Sequence, residues 1–320
     1  MHKAVAKPLD LIAIHLARWC VDRSGQRRDL SVAELERLLE NPGFFGLPVS
    51  TPSDFQWHGN NFRFSSPVVS PWKQNNVVHG RFFAAAKPAS KTPTVILLHG
   101  WNQELGYETL FPQLARRLNA AGFNAAMFEL PYHRRRKPND RDAIRNFLAS
   151  DPLHVAMAIH QALADARALI AKLAGENTPP IGLWGISLGA WLAGLLACVE
   201  QRVDFAVLMT PVVRMDRIIT ELKFCEPIRE QLHKRLLPLA PLNLVSHRPH
   251  HPQNILIVAG DHDLFAPVET AEELARAWKG ATLRRLPHGH ISMLLSPKAI
   301  TETVNWIAQR FGSPTSREAQ

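Results

Sequence analysis

Cysteine is scarce, with only Cys20, Cys198 and Cys225 in 320 residues. Three thiols, far apart and without a C-x-x-C pair, exclude a disulfide framework and a thiol-based metal or redox motif. A reducing, cytoplasmic setting is the expectation. A long basic tail is also missing. Lysine and arginine total 37 against 28 acidic residues, a formal net charge of +9. The excess sits in short clusters: Arg27-Arg28, Arg116-Arg117, Arg134 to Lys137 and Arg284-Arg285. No basic helix with interleaved aromatics and no zinc-finger or RNA-binding signature accompanies them, so no nucleic-acid partner is expected.

Long uncharged apolar runs are equally rare. Near the N-terminus, Asp10 and His15 interrupt the apolar stretch after Lys7, and no small-residue cleavage site follows, so the segment does not read as a signal peptide. Ile181 to Val199 is nominally long enough to span a bilayer. Gly182, Gly185 and Gly189 punctuate its first half, so it reads as a strand, a tight turn and a buried helix. No membrane insertion is expected.

What remains is the composition of a packed globular protein, 46% apolar and 20% charged. Leu9, Ile12, Ala13, Leu16 and Trp19 share one helical face and predict a first helix buried on that face. Residues 1–75 read as a helical extension packed on a core domain of residues 76–312, with residues 313–320 as a flexible tail. Within the core, apolar runs at Thr94–Leu98, Asn124–Leu130, Ile181–Trp184, Phe205–Met209, Ile255–Ala259 and Leu283–Leu286 alternate with helical stripes. That alternation predicts a parallel sheet covered on both faces, an α/β architecture. Residues 212–253 are too many for a simple connection and predict a small helical cap; its Leu222, Phe224, Leu236 and Leu237 are expected to pack against the sheet.

Gly185-Ile186-Ser187-Leu188-Gly189 follows a strand and opens an apolar helix. In a G-x-S-x-G turn the serine hydroxyl projects above the sheet, and the glycines permit a sharp backbone and close helix–strand contact. Such a hydroxyl needs a base, and the base needs an orienting acid. Asp263 follows the strand ending at Ala259 and is the preferred acid, with Asp261 as the alternative. His290 follows the last strand and is the preferred base, with His288 as the alternative. The chain order Ser, Asp, His fits this assignment. Oxyanion donors are expected at the backbone N–H groups of Leu188 and Trp101, the latter in the loop His99-Gly100-Trp101-Asn102. His247, His250 and His251 lack a carboxylate at ligand spacing, so no metal site is expected. Arg135 and Arg136 follow the second core strand and are candidates for recognising an anionic substrate group.

Together, His-Gly after a strand, G-x-S-x-G, G-x-x-D-x-x-x-P and a late Gly-His resemble the α/β-hydrolase superfamily over about Val77 to Phe311. Pro131-Tyr132-His133-Arg134-Arg135-Arg136-Lys137-Pro138 resembles a bacterial branch with a Pro-Tyr-His-x-Arg-Arg-x-Pro loop, in which glycine often stands where this chain has Arg134. The resemblance implies an eight-stranded, mostly parallel sheet, a Ser187–His290–Asp263 triad and no cofactor. The expected activity is hydrolysis of an ester, thioester or similar acyl bond in a small-molecule substrate. An acyltransferase with the same triad and a non-catalytic binding member of the fold are the alternatives.

Overall fold

The structure is a computed structural model that describes residues 3–17, 19–21, 32–41, 43–46, 49–86, 91–140, 143–174, 179–232 and 239–312. The N-terminal part contributes helices α1 (Lys3–Ala17), α2 (Val32–Glu40) and α3 (Gly43–Gly46), then strands β1 (Gln56–His58), β2 (Asn61–Ser65) and β3 (Val77–Phe83). The alternating part follows as β4 (Thr94–Leu98), α4 (Glu104–Ala120), β5 (Asn124–Phe128), α5 (Pro152–Leu173), β6 (Ile181–Ile186), α6 (Leu188–Val199) and β7 (Phe205–Met209). Helices α7 (Met215–Glu221) and α8 (Glu226–Leu232) lie in the connection to β8 (Ile255–Gly260). The chain ends with α9 (Val268–Ala277), β9 (Thr282–Leu286), α10 (His290–Leu294) and α11 (Pro297–Phe311). The expected tail at 313–320 lies outside the described residues, as do Leu236 and Leu237. No helix among the described residues is long and apolar enough to cross a membrane.

All nine strands form one sheet in the order β1-β2-β3-β5-β4-β6-β7-β8-β9, one strand more than the resemblance implies. Pairing from β5 to β9 is parallel, and β1, β2 and β3 are added antiparallel at one edge. Two of the edge strands arise within residues 56–65, in the N-terminal extension, where Phe62-Arg63-Phe64 already alternates as a strand does. Buried parallel strands carry apolar side chains on both faces. Thus Ile96 and Leu98 of β4 pack with α5 and α6, whereas Val95 and Leu97 pack with Tyr107, Phe111 and Leu114 of α4 and with α11.

The N-terminal helix departs from the sequence reading. Its inward residues are Ala6, Asp10 and Ala17, while Ile12, Leu16 and Trp19 are 57%, 56% and 83% exposed. The face with small side chains packs closely on the protein, and the bulky stripe is largely exposed, with Leu16 facing the cavity described below. Ala17 and Val21 meet Phe224, Cys225 and Ile228 of the β7–β8 connection.

Five non-glycine residues among those described have positive φ: Asn102, Tyr132, Arg134, Ser187 and Thr210. All lie just past the carboxyl ends of the adjacent strands β4, β5, β6 and β7. This is the sheet edge where open α/β sheets bind ligands, and β4 is where the strand order reverses. Gly189 lets α6 press against β4 there, because a Cβ at this position would collide with the carbonyl oxygen of Leu98. Gly189→Ala is expected to destabilise the fold by about 1–3 kcal/mol through overpacking; equilibrium urea unfolding checks this.

Candidate active site

Ser187 sits between β6 and α6 at φ 54° and ψ −119°, a conformation that costs energy for any residue with a Cβ. The turn is held because the Ser187 N–H donates to the Met209 carbonyl at 3.0 Å and the Trp191 N–H to the Ser187 carbonyl at 3.0 Å. The hydroxyl is thereby aimed out of the edge, where Ser187 Oγ and His290 Nε2 are 2.8 Å apart. On the other side of the ring, His290 Nδ1 lies 2.8 Å from Asp263 Oδ2. The second oxygen, Asp263 Oδ1, accepts the N–H groups of Phe265 at 2.8 Å and Ala266 at 2.7 Å, which fixes the carboxylate in its loop. Burial works against a charged His290 ring, but the charge and hydrogen bond of Asp263, and the charge of Asp10, raise its pKa above the ordinary value.

The alternatives stand elsewhere. Asp261 pairs with Arg285, Nε to Oδ1 at 2.8 Å. His288 is two residues before the ring that meets Ser187, and burial together with nearby positive charge lowers its pKa. His247 Nε2 lies 2.6 Å from the Pro241 carbonyl oxygen. No group of three or more His, Cys, Asp or Glu side chains that could hold a metal occurs among the described residues.

Ser187 and His290 open onto a cavity of about 350 Å³. Leu16 and Ala17 of α1, Leu35 and Leu39 of α2, Ile159 of α5, and Ile218, Phe224 and Ile228 of the β7–β8 connection line it. Among the described residues its polar lining is confined to Cys20, Asn102, Gln103, Ser187, Cys225 and His290, without a lysine, arginine or carboxylate. Phe224 of the same connection faces this space and stacks on Trp101 with ring centroids 5.7 Å apart. Leu222 packs instead with Phe224, Cys225 and Ile228.

Arg134, Arg135 and Arg136 are not among the described residues that line the cavity, and each engages protein groups instead. Arg136 is fully buried, its guanidinium donating to the carbonyls of Asn75 and Glu129 and lying 2.8 Å from Asp165 Oδ2. Arg135 is half exposed and donates to Glu129 Oε1 at 2.8 Å. Arg134 pairs with Glu108 and Glu129 and lies over the Tyr107 ring. Glu108, Glu129 and Asp165 are scattered along the chain, so spacing gave no hint of this network. Arg134 itself has a positive φ, a conformation that glycine adopts most readily.

His133 in the same loop does reach the site. Its Nε2 accepts the Asn102 N–H at 3.3 Å, and its Nδ1 donates to the Pro131 carbonyl at 2.8 Å. His99 repeats the pattern, accepting the Leu130 N–H at 3.1 Å and donating to Gly100 at 2.8 Å. The two rings, with centroids 4.8 Å apart, latch the loop after β4 to the loop after β5. Burial lowers the pKa of His99 to about 3 and that of His133 to about 4.

Two outcomes follow from these loops. Arg136→Ala leaves the buried Asp165 carboxylate unpaired and is expected to cost about 3–5 kcal/mol, whereas half-exposed Arg135→Ala should cost about 1 kcal/mol or less; urea unfolding separates the two. Because His99 and His133 are neutral in the fold but protonate near pH 6.5 when unfolded, stability is full above that pH and falls as pH drops toward 4. The loss between pH 7 and 5 is on the order of 2 kcal/mol for each ring, and His290, shifted the other way, opposes it. His133→Gln should make this decline shallower in unfolding midpoints measured at the two pH values.

Residues 95–248 match the alpha/beta hydrolase family. None of the curated proteins matches the chain. Among solved structures, an esterase of Pyrococcus furiosus is similar at 16% identity and TM-score 0.53, covering 83% of this chain and 99% of its own. A cold-adapted esterase from an Arctic intertidal metagenomic library is similar at 19% identity and TM-score 0.52, covering 82% of this chain and 100% of its own. An acylaminoacyl peptidase of Pyrococcus horikoshii shares 12% identity at TM-score 0.54, with 83% of this chain and 43% of that one covered. Sheet order, the turn at Ser187 and these likenesses agree that this chain has the α/β-hydrolase fold.

Proposed function

We propose that this protein is a serine hydrolase of carboxylic esters or thioesters with an apolar acyl group. The carrying observation is the Ser187–His290–Asp263 hydrogen-bond chain at the mouth of a cavity whose lining, among the described residues, is largely apolar and carries no lysine, arginine or carboxylate. His290 Nε2 takes the Ser187 proton as Oγ attacks the acyl carbon, and Asp263 holds the ring in the tautomer with the proton on Nδ1. The same proton then goes to the departing alcohol or thiol. Water, deprotonated by His290, next cleaves the acyl-serine ester and releases the acid.

The oxyanion is assigned to the N–H groups of Leu188 and Trp101. Leu188 is the first residue of α6, so its N–H has no acceptor within the helix. In the loop after β4, the Gly100 N–H is directed to Gln103 Oε1 at 3.2 Å and the Asn102 N–H to His133, with the Trp101 N–H between them. The His133 latch therefore supports the loop that would bear the second donor.

The test has two parts. A fluorophosphonate probe should label the wild type but not Ser187→Ala, and Ser187→Ala should lose about 10⁴–10⁶ in turnover of p-nitrophenyl esters. Across esters of increasing acyl length, kcat/KM should climb about fourfold per methylene, the equivalent of roughly 0.8 kcal/mol for each buried CH₂, until the cavity is filled. Wild-type turnover by folded Ser187→Ala refutes the nucleophile; labelling with acyl transfer to an added alcohol but no hydrolysis indicates an acyltransferase.

A further inference from the structure

Asp10 is the polar residue that interrupts the first apolar stretch, and α1 carries it into the protein, where it is fully buried. A buried carboxylate is costly unless its oxygens are satisfied. Asp10 Oδ2 accepts the N–H of His290 at 2.8 Å and the N–H of Leu264 at 3.0 Å. Asp10 Oδ1 accepts the N–H of Ile291 at 3.0 Å. One donor thus adjoins Asp263, one belongs to His290 itself, and the third follows it. The residue before the histidine is shaped by the same contact: a Cβ on Gly289 would stand 2.8 Å from Asp10 Oδ2 and 3.0 Å from the Ala6 carbonyl oxygen.

We propose that Asp10 is a positioning residue of the active site, a carboxylate supplied by the N-terminal helix that clamps the acid loop to the histidine loop and so keeps Asp263, His290 and Ser187 in register. The inference rests on the serine-hydrolase reading above. Backbone bonds already join the two loops before the catalytic pair, with the Asp261 N–H on the Leu286 carbonyl at 2.9 Å and the His262 N–H on the His288 carbonyl at 3.0 Å. Asp10 carries that joining past the pair, to Leu264 on one side and to His290 and Ile291 on the other. With Asp10 in place, backbone and side chain of His290 are each held by a carboxylate, and the imidazole keeps one direction toward Ser187. Asp10 also faces His290 as a second negative charge besides Asp263, so it favours the imidazolium that forms when Ser187 attacks.

The experiment uses the full chain and a short-acyl ester, which makes little use of the cavity wall that α1 provides. Asp10→Asn keeps the size but replaces one acceptor oxygen with a donor that opposes the loop N–H groups. Gly289→Ala keeps Asp10 but drives it from its seat. Each is expected to lower kcat about 100-fold, the cost of a misplaced catalytic group, with KM changed less than threefold. In Asp10→Asn, removal of a negative charge should move the acid limb of the pH–kcat/KM profile to lower pH, because His290 then protonates less readily.

A helix anchor without a positioning role predicts otherwise: a lowered melting temperature, with kcat and acid limb unchanged at a temperature where the variant is folded. That result overturns the inference. If Asp10→Asn does not fold, Gly289→Ala decides between the two by the same kcat and KM readings. Failure of the underlying reading is distinct, since the wild type would then escape the fluorophosphonate probe or Ser187→Ala would stay active.

Discussion

At Ser187 the backbone leaves a buried strand and enters a buried helix within one residue, and the whole carboxyl edge of the sheet is built around that turn. A side chain at φ 54° is not a low-energy choice. It persists because β7 and α6 hold the peptide groups on either side and because Gly189 lets the helix lie against β4. The same edge carries the four other strained residues, so the cost is concentrated where loops meet ligand and withheld from the strands. Two rings hold a pair of these loops together, since His133 fixes the strained Asn102 after β4 and His99 fixes the chain leaving β5. Both must stay neutral to accept a backbone N–H, which links the shape of the site to pH through groups that touch no substrate.

The core was legible in the sequence because buried parallel strands read as unbroken apolar runs. The spans at Thr94–Leu98 and Phe205–Met209 agree with the structure, and the helices at Leu188–Val199 and Pro297–Phe311 follow the expected stripes. The preferred residues Ser187, Asp263 and His290 come together, because strand ends and chain order restrict which side chains share one edge. The choice against Asp261 and His288 rested on a position two residues along each loop, and Asp261 proved to be engaged with Arg285.

The parts that were not legible involve partners distant in sequence. The arginine cluster looks like an anion-binding loop until Glu108, Glu129 and Asp165 are brought to it by α4, β5 and α5. In α1, periodicity marks the bulky stripe as the buried face, but the close approach to α10 requires small side chains and a carboxylate. Hydrophobicity is a poor guide where a helix docks through hydrogen bonds. Asp10 first counts only as a break in an apolar run, and a single sequence gives no further signal of its three backbone donors.

The span between Asp10 and its donors, 254 to 281 residues, has a consequence for synthesis. Helix α1 leaves the ribosome long before the N–H groups that satisfy its carboxylate. Contacts of such long range close late, after the central strands have their neighbours. During translation the Asp10 carboxylate therefore stays in water, and the serine turn exists before its histidine has a place to stand. A nascent chain carries Ser187 without its partners, and the segment from strand β8 to α10 brings Asp263, His290 and the donors to Asp10 together.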